Sequence, residues 1–257
     1  MKIVACYKCV LDEADIRTDP VSRKPLTDRA KRKISDYDRN AIECAVSFAE
    51  GLGASSHVLT AGTSEAKSTL KDALSRGPDS AFFFQDDAMG DADSAVVARV
   101  LAGALKLIGE VDLVVCGEGS SDNYAQQVGP RVGQLLGIPI VTCVTHMTIE
   151  DGVARCERNL EDGVEVVEVS LPALVTVLPS MNAPRLPGLK QILAASKKPV
   201  QNLTVTDLGL SGEDLVPRLR RVEMLGASST RRNVKLTGSA GEVVAQLLQV
   251  LKQEELI

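Results

Sequence analysis

Val111-Asp-Leu-Val-Val-Cys-Gly-Glu-Gly-Ser-Ser-Asp-Asn-Tyr-Ala-Gln-Gln-Val-Gly129 is the stretch on which the fold turns. Residues 111–116 form an apolar, β-branched run. The chain then passes through two glycines and two serines into a segment of helical spacing, residues 123–136, which Gly137 stops with Pro139 close behind. A buried strand that hands over through a glycine-rich turn to a helix is the repeating unit of a parallel sheet. Gly117 and Gly119 let the backbone come close to a ligand, and Ser120 and Ser121 offer hydroxyls. The helix start adds free N–H groups and positive partial charge, which together make a phosphate cradle. The same residues would also serve as a plain strand-to-helix turn capped by Ser121 or Asp122. The stretch is not the dinucleotide fingerprint, because the third glycine of G-x-G-x-x-G would fall at Asp122, and no G-K-[ST] of a P-loop occurs anywhere in the chain.

Outward from this point the pattern repeats. Apolar runs at residues 3–6, 57–61, 81–84 and 138–144 alternate with helical segments. Ile42, Ala45, Val46 and Ala49 share a face with Gly51 as the stop, and residues 66–74 and 94–107 carry two more helices. The fold class is therefore α/β: a doubly wound, mostly parallel, Rossmann-like sheet covered on both faces. Ligands in such sheets sit beyond the carboxyl ends of the strands, which directs attention to the loops after Cys6, Ala61 and Cys116. From residue 145 the texture changes. Residues 153–158 and 164–170 read as an antiparallel extension turning at Asp162-Gly163, and residues 173–178 as one more buried strand. Beyond Pro179 comes a short helical piece flanked by Lys190, Lys197 and Lys198, read as either a solvated basic face or a docking element. A long weakly patterned stretch follows. Ser239-Ala-Gly-Glu242 is a capping-box pattern ahead of an apolar stripe of Val243, Val244, Leu247, Leu248 and Leu251. This divides the chain into a nucleotide-binding domain, residues 1–195, and a C-terminal arm, residues 196–257, that wraps onto another chain or back across the domain.

The chain of 257 residues is 44% hydrophobic, enough for one sizeable core. A formal net charge of −5, no Trp and only 3% aromatics argue against a polyanion binder or a stacking platform for nucleic acid. No apolar run reaches the roughly 20 residues needed to cross a bilayer, and Met1-Lys-Ile-Val-Ala-Cys6 reads as a first strand rather than a signal peptide. Six Cys in no disulfide-like framework fit a reducing, cytoplasmic compartment. Cys6-Tyr-Lys-Cys9 invites a redox or zinc reading, but no second C-x-x-C exists and the pair ends a strand instead of opening a helix. Packed thiols whose backbone borders a ligand are the preferred reading. His57 and His146 look strand-embedded, so no nucleophile–base pair is visible and no catalytic residue is assigned.

The residues resemble a known family, the β subunits of electron transfer flavoproteins. The resemblance is collinear from Lys2 to about Lys198. It includes a signature at Arg158-Asn-Leu-Glu-Asp-Gly-Val-Glu-Val-Val-Glu-Val-Ser-Leu-Pro-Ala-Leu-Val-Thr176, departing only at Cys156. The segments Cys6-Tyr-Lys-Cys-Val10, Lys33-Ile-Ser-Asp-Tyr-Asp-Arg-Asn-Ala-Ile-Glu43, Leu74-Ser-Arg-Gly-Pro-Asp79 and the 117–129 loop are similar to the FixA type, the branch associated with carnitine metabolism. The resemblance implies an adenine-nucleotide site at Cys6, Ser35, Asp36, Tyr37, Asp38, Ala61, Gly117, Glu118, Gly119, Ser120, Ser121, Asp122, Asn123, Tyr124, Ala125, Gln126, Gln127 and Val128. That site would hold AMP, as in most of the family, or a second FAD, as in electron-bifurcating members. Gln127-Val128-Gly129-Pro130 looks like the bifurcating pattern, while residues 120–126 resemble neither archetype, and AMP is slightly preferred. The main FAD would sit on an α subunit partner. Leu189 and Lys190 fall where the family docks acyl-CoA dehydrogenase-type enzymes, with a quinone oxidoreductase or ferredoxin as further redox partners. Such a carrier needs no acid, base or nucleophile of its own, because the flavin does the chemistry. The rival reading is a stand-alone adenine-nucleotide-binding regulatory module of the universal-stress-protein kind, which would lack the 158–176 signature and the long tail.

Overall fold

The computed structural model describes residues 1–227 and 233–257. The first third of the chain holds β1 (Lys2–Cys6), β2 (Cys9–Leu11), β3 (Arg17–Thr18), β4 (Pro25–Leu26), β5 (Arg32–Ile34), α1 (Asp36–Leu52), β6 (Ser55–Gly62), α2 (Leu70–Ser75) and β7 (Ser80–Gln85). Then come α3 (Ser94–Ile108), β8 (Leu113–Gly117), α4 (Val128–Leu136), β9 (Ile140–Glu150), β10 (Val153–Leu160), β11 (Gly163–Ser170), β12 (Ala173–Val177), α5 (Leu189–Ala195), β13 (Val200–Leu203) and α6 (Ala240–Gln253).

The large sheet runs in the order β11-β10-β9-β12-β8-β1-β6-β7-β13. Every pair from β9 to β13 along that order is parallel, and β9/β10 and β10/β11 are antiparallel. Alternation along the strands sorts side chains to two cores. Ile3, Ala5, Leu113 and Val115 face α1 and α2 through Ile42, Ala45, Val46 and Leu74. Val4, Cys6, Val114 and Cys116 face α3 and α4 through Val96, Val100, Leu101 and Val132. A strand buried on both faces must be apolar throughout, which is why these runs are continuous in the sequence. No helix among the described residues is long and apolar enough to cross a membrane.

The α/β fold class and the antiparallel extension are as read from the sequence, with local corrections. Helix α1 runs through Gly51 and stops at Gly53, whose left-handed φ of 61° supplies the C-cap. The segment 66–74 is split into a 3-10 turn, Ser64–Thr69, and the short α2. The helix expected from residue 123 begins only at Val128, because Tyr124 and Gln126 adopt positive φ of 43° and 56° and hold residues 120–127 as a loop. The strand expected at 138–144 is Ile140–Glu150, bent by a register shift. There Arg158 donates to the Thr142 carbonyl at 3.1 Å and to its hydroxyl at 2.8 Å, so the arginine of the 158–176 signature fastens β10 to the bent part of β9. Unforeseen is β13, which adds to the free edge of β7. Lys198, read as solvated or docking, instead donates to the carbonyls of Leu74, Gly77 and Pro78 at 2.6–3.0 Å and seals the C-terminal end of α2.

Candidate functional site

Strand β1 pairs with β6 on one side and β8 on the other, so the chain leaves β1 in one direction and returns to its opposite flank. The carboxyl ends of β1 and β8 therefore border the crevice at the topological switch point, where α/β sheets bind ligands. Asp38, in the first turn of α1, crosses this crevice. It is buried, and its carboxylate accepts the Lys8 N–H at 2.8 Å and the Gly117 N–H. A Cβ on Gly117 would lie 2.5 Å from Asp38 Oδ1 and 3.0 Å from the Tyr37 backbone, so only glycine permits this approach. Burial pushes the Asp38 carboxyl up to about 7 against the pull of those two N–H groups. Two further links tie the same loops together: the Ser121 N–H donates to Ser35 Oγ at 3.2 Å, and Lys8 Nζ pairs with Asp122 at 2.6 Å.

Above these links a cavity of about 420 Å³ is lined by Glu13, Asp36, Tyr37, Asn40, Ser120, Ser121, Tyr124 and Pro179. The Tyr37 and Tyr124 rings meet at 5.2 Å and 44°. Tyr124 also covers Gly119, where a Cβ would come within 2.6 Å of the ring. Two buried oxygens of the 117–129 loop have no partner among the described residues: Ser121 Oγ, whose residue lines the cavity, and Glu118 Oε2, two residues before the lining Ser120. Glu118 is only 7% exposed, and burial raises its carboxyl above the usual range although Gln126 donates to its other oxygen at 3.4 Å. Such orphans are few in native interiors, and these two fit a polar ligand that would satisfy them. Close-packed glycines, hydroxyls and main-chain groups suit a nucleotide's phosphate and ribose better than they suit a metal.

Of the residues expected at a nucleotide site, Asp36, Tyr37, Ser120, Ser121 and Tyr124 line the cavity. Cys6, Ser35, Asp38 and Glu118 are buried. Ala61 and Val128 pack on the α3/α4 side of the sheet. Asn123, Ala125, Gln126 and Gln127 are exposed on the loop, where Gln127 Oε1 takes the Ser94 hydroxyl at 2.8 Å and Arg131 Nη2 at 3.0 Å. Ser121 and Asp122 cap no helix, because α4 starts six residues after Asp122. Asp122 instead binds Lys8 and the Asn123 N–H. Cys6 lies beside Cys116, and their contact together with burial holds the Cys116 thiol well above its usual range. Sequence reasoning missed Lys8, although its place two residues after Cys6 in the first post-strand loop was a usable signal, and Asn40, for which no signal existed.

Asn40 also ties α1 to the segment after β12. Its amide donates to the Pro179 and Asn182 carbonyls at 3.1 and 2.8 Å, and Arg185 pairs with both Glu43 and Glu50 at 2.8 Å. Helix α1 thus carries the segment that leads to Leu189, 73% exposed, and Lys190 at the start of α5. Helix α6 has the expected capping box, in which Ser239 and Glu242 satisfy each other's backbone N–H groups, and buries none of its side chains.

Against known families, the model of the electron transfer flavoprotein domain matches residues 26–208, well over half of the chain. The match spans α1, β8, the 117–129 loop and α5, and it favours this family over a stand-alone regulatory module. The chain belongs to the electron transfer flavoprotein domain family.

Proposed function

We propose that this chain is the β-type subunit of an electron transfer flavoprotein of the FixA kind, holding an adenine nucleotide in its switch-point crevice and carrying electrons only together with an FAD-bearing α subunit. The observation that supports this reading best is the cavity over the Asp38 cross-link, with the unpartnered Ser121 Oγ in its wall and Glu118 Oε2 unpartnered in the same loop. Ser120, Ser121 and the main chain of the 117–128 loop would hold phosphate and ribose, with Tyr37 and Tyr124 as the apolar wall. AMP is preferred, with a second FAD as the bifurcating alternative. When bound, the flavin supplies the redox chemistry. The protein's own residues bind, orient and exclude water.

Two surfaces fit the heterodimer. The unburied stripe of Val244, Leu247 and Leu248 on α6 suits packing on the α subunit, as the far end of the 196–257 arm, whose first part, from β13 to Leu215, packs on this chain's own sheet and on α3. Leu189, beside Lys190, is an apolar knob for the pocket of an acyl-CoA dehydrogenase-type enzyme, with a quinone oxidoreductase or ferredoxin on the other side of the electron path and carnitine metabolism as the setting. The test is to co-express the chain with its α neighbour and count flavins and AMP per purified heterodimer. One FAD plus AMP supports simple carriage and two FAD support bifurcation, whereas a pair without flavin defeats the proposal.

A further inference from the structure

We infer that residues 218–226 form a cationic strap across the mouth of the crevice, and that Arg218, Arg220 and Arg221 neutralise the phosphate of the nucleotide bound there. The inference rests on the nucleotide reading above and assigns it a residue set outside the site already described.

The course of the chain carries the first half of the argument. After β13 the backbone returns along α3. Leu208 lies against Gly103, where a Cβ would come 3.3 Å from the Leu208 Cβ, and Leu215 is buried. At the N-terminus of α3, Asp93 uses one oxygen to cap the helix, accepting the Ala95 and Val96 N–H groups at 3.0 and 2.9 Å. Its other oxygen accepts the Arg218 and Leu219 N–H groups at 2.8 and 3.1 Å. Arg221 Nη2 then donates to Asn123 Oδ1, at the tip of the 117–129 loop, at 3.0 Å. Beyond it the Gly226 N–H donates to the Arg23 carbonyl at 2.7 Å, and Arg23 returns two bonds to the Gly226 carbonyl. The segment is thus fastened at α3, at the β3/β4 hairpin, and between them at the loop tip.

Charge carries the second half. The 117–129 loop contains no Lys or Arg but two acids, Glu118 and Asp122. Lys8 is engaged by Asp122, and Arg131 by Gln127. A phosphate brought to this loop meets acids whose counter-charge is already used or absent. The strap brings the Arg221 guanidinium to Asn123 of this loop, Arg218 and Arg220 precede it by three residues and one, and the side chains of these two form no hydrogen bond or ion pair among the described residues. Leu219 and Val222 are exposed, so packing does not account for the path of this segment. A planar guanidinium is the side chain best matched to a phosphate.

The test uses the full chain, stripped of nucleotide, titrated separately with AMP, FAD and adenosine by calorimetry at low and moderate salt. The comparison is between wild type and the variant Arg218→Gln, Arg220→Gln, Arg221→Gln, with Arg221→Gln alone as a milder second variant. AMP or FAD affinity should fall about 10- to 100-fold in the triple variant with a shallower salt dependence, while adenosine affinity stays within about twofold. Saturating AMP should also slow tryptic cleavage after Arg220 and Arg221 in wild type. Unchanged AMP and FAD affinity in the triple variant, or an equal loss for adenosine, overturns the strap and leaves the nucleotide reading standing. A wild-type chain that binds none of the three ligands overturns both.

Discussion

Replacing Asp38 with Asn should change how stability depends on pH far more than it changes the fold. The carboxyl sits wholly inside the protein between the loops after β1 and β8, and burial lifts it from 3.8 to about 7. A carboxyl whose folded value lies above its unfolded value favours the folded state when protonated. Its contribution is intact below about pH 4 and is lost as pH rises through about 7. Integrating that linkage between about pH 4.5 and 7.5 gives a loss of about 3 kcal/mol, which flattens above that range. Asn does not titrate, so the difference between wild type and Asp38→Asn isolates this group from every other carboxylate the two proteins share. The assay is urea unfolding of both proteins at several pH values across that range. The wild type should lose about 3 kcal/mol relative to the variant as pH rises. A difference that stays flat within about 0.5 kcal/mol would refute the claim that Asp38 is held by desolvation against its N–H donors, and would mean that water or a cation reaches it.

Gly129→Ala would set a Cβ 2.6 Å from Thr176 Cγ2, so α4 must shift off β12; a loss of about 1–3 kcal/mol in denaturant titrations is expected. Arg185→Ala leaves the buried Glu43 without its counter-charge, with only the Ser47 hydroxyl and the main-chain N–H of residue 185 still donating to it, and frees the segment before α5. The expected cost is about 1–3 kcal/mol, with faster proteolysis between residues 182 and 190, read by limited digestion. Leu189→Ala removes an exposed knob and should leave stability and nucleotide content unchanged while slowing electron exchange with the proposed acyl-CoA dehydrogenase-type partner in stopped-flow kinetics; unchanged exchange would count against the docking role.

The two-faced sheet was legible because the middles of β1, β7, β8 and β12 are buried and almost wholly apolar, whereas β6 shows the pattern only at Val58 and Leu59 between polar residues. What escaped depends on contacts distant in sequence. Val200-Gln-Asn-Leu203 carries only two apolar residues and is a strand because β7 offers it an edge. The start of α4 was misplaced because Tyr124 and Gln126 have ordinary helical propensity, yet Tyr124 is committed to covering Gly119 and meeting Tyr37. At the site, glycines and hydroxyls announced a loop that approaches a ligand. The place of Lys8 in the first post-strand loop was readable, but its partner Asp122 and the reach of Asn40 to Asn182 were not, since a charged or amide residue in a loop says nothing of its partner until the loops are brought together.

The late arrival of β13 has a consequence for synthesis. Strand β7, Ser80-Ala-Phe-Phe-Phe-Gln85, emerges from the ribosome long before residues 200–203 do, and until then its outer row of N–H and C=O groups stays open. An apolar, aromatic edge left unpaired invites pairing with a neighbouring nascent chain. Fragments that stop near residue 199 should therefore accumulate in inclusion bodies, whereas a few more residues close the seam and make vectorial folding safe.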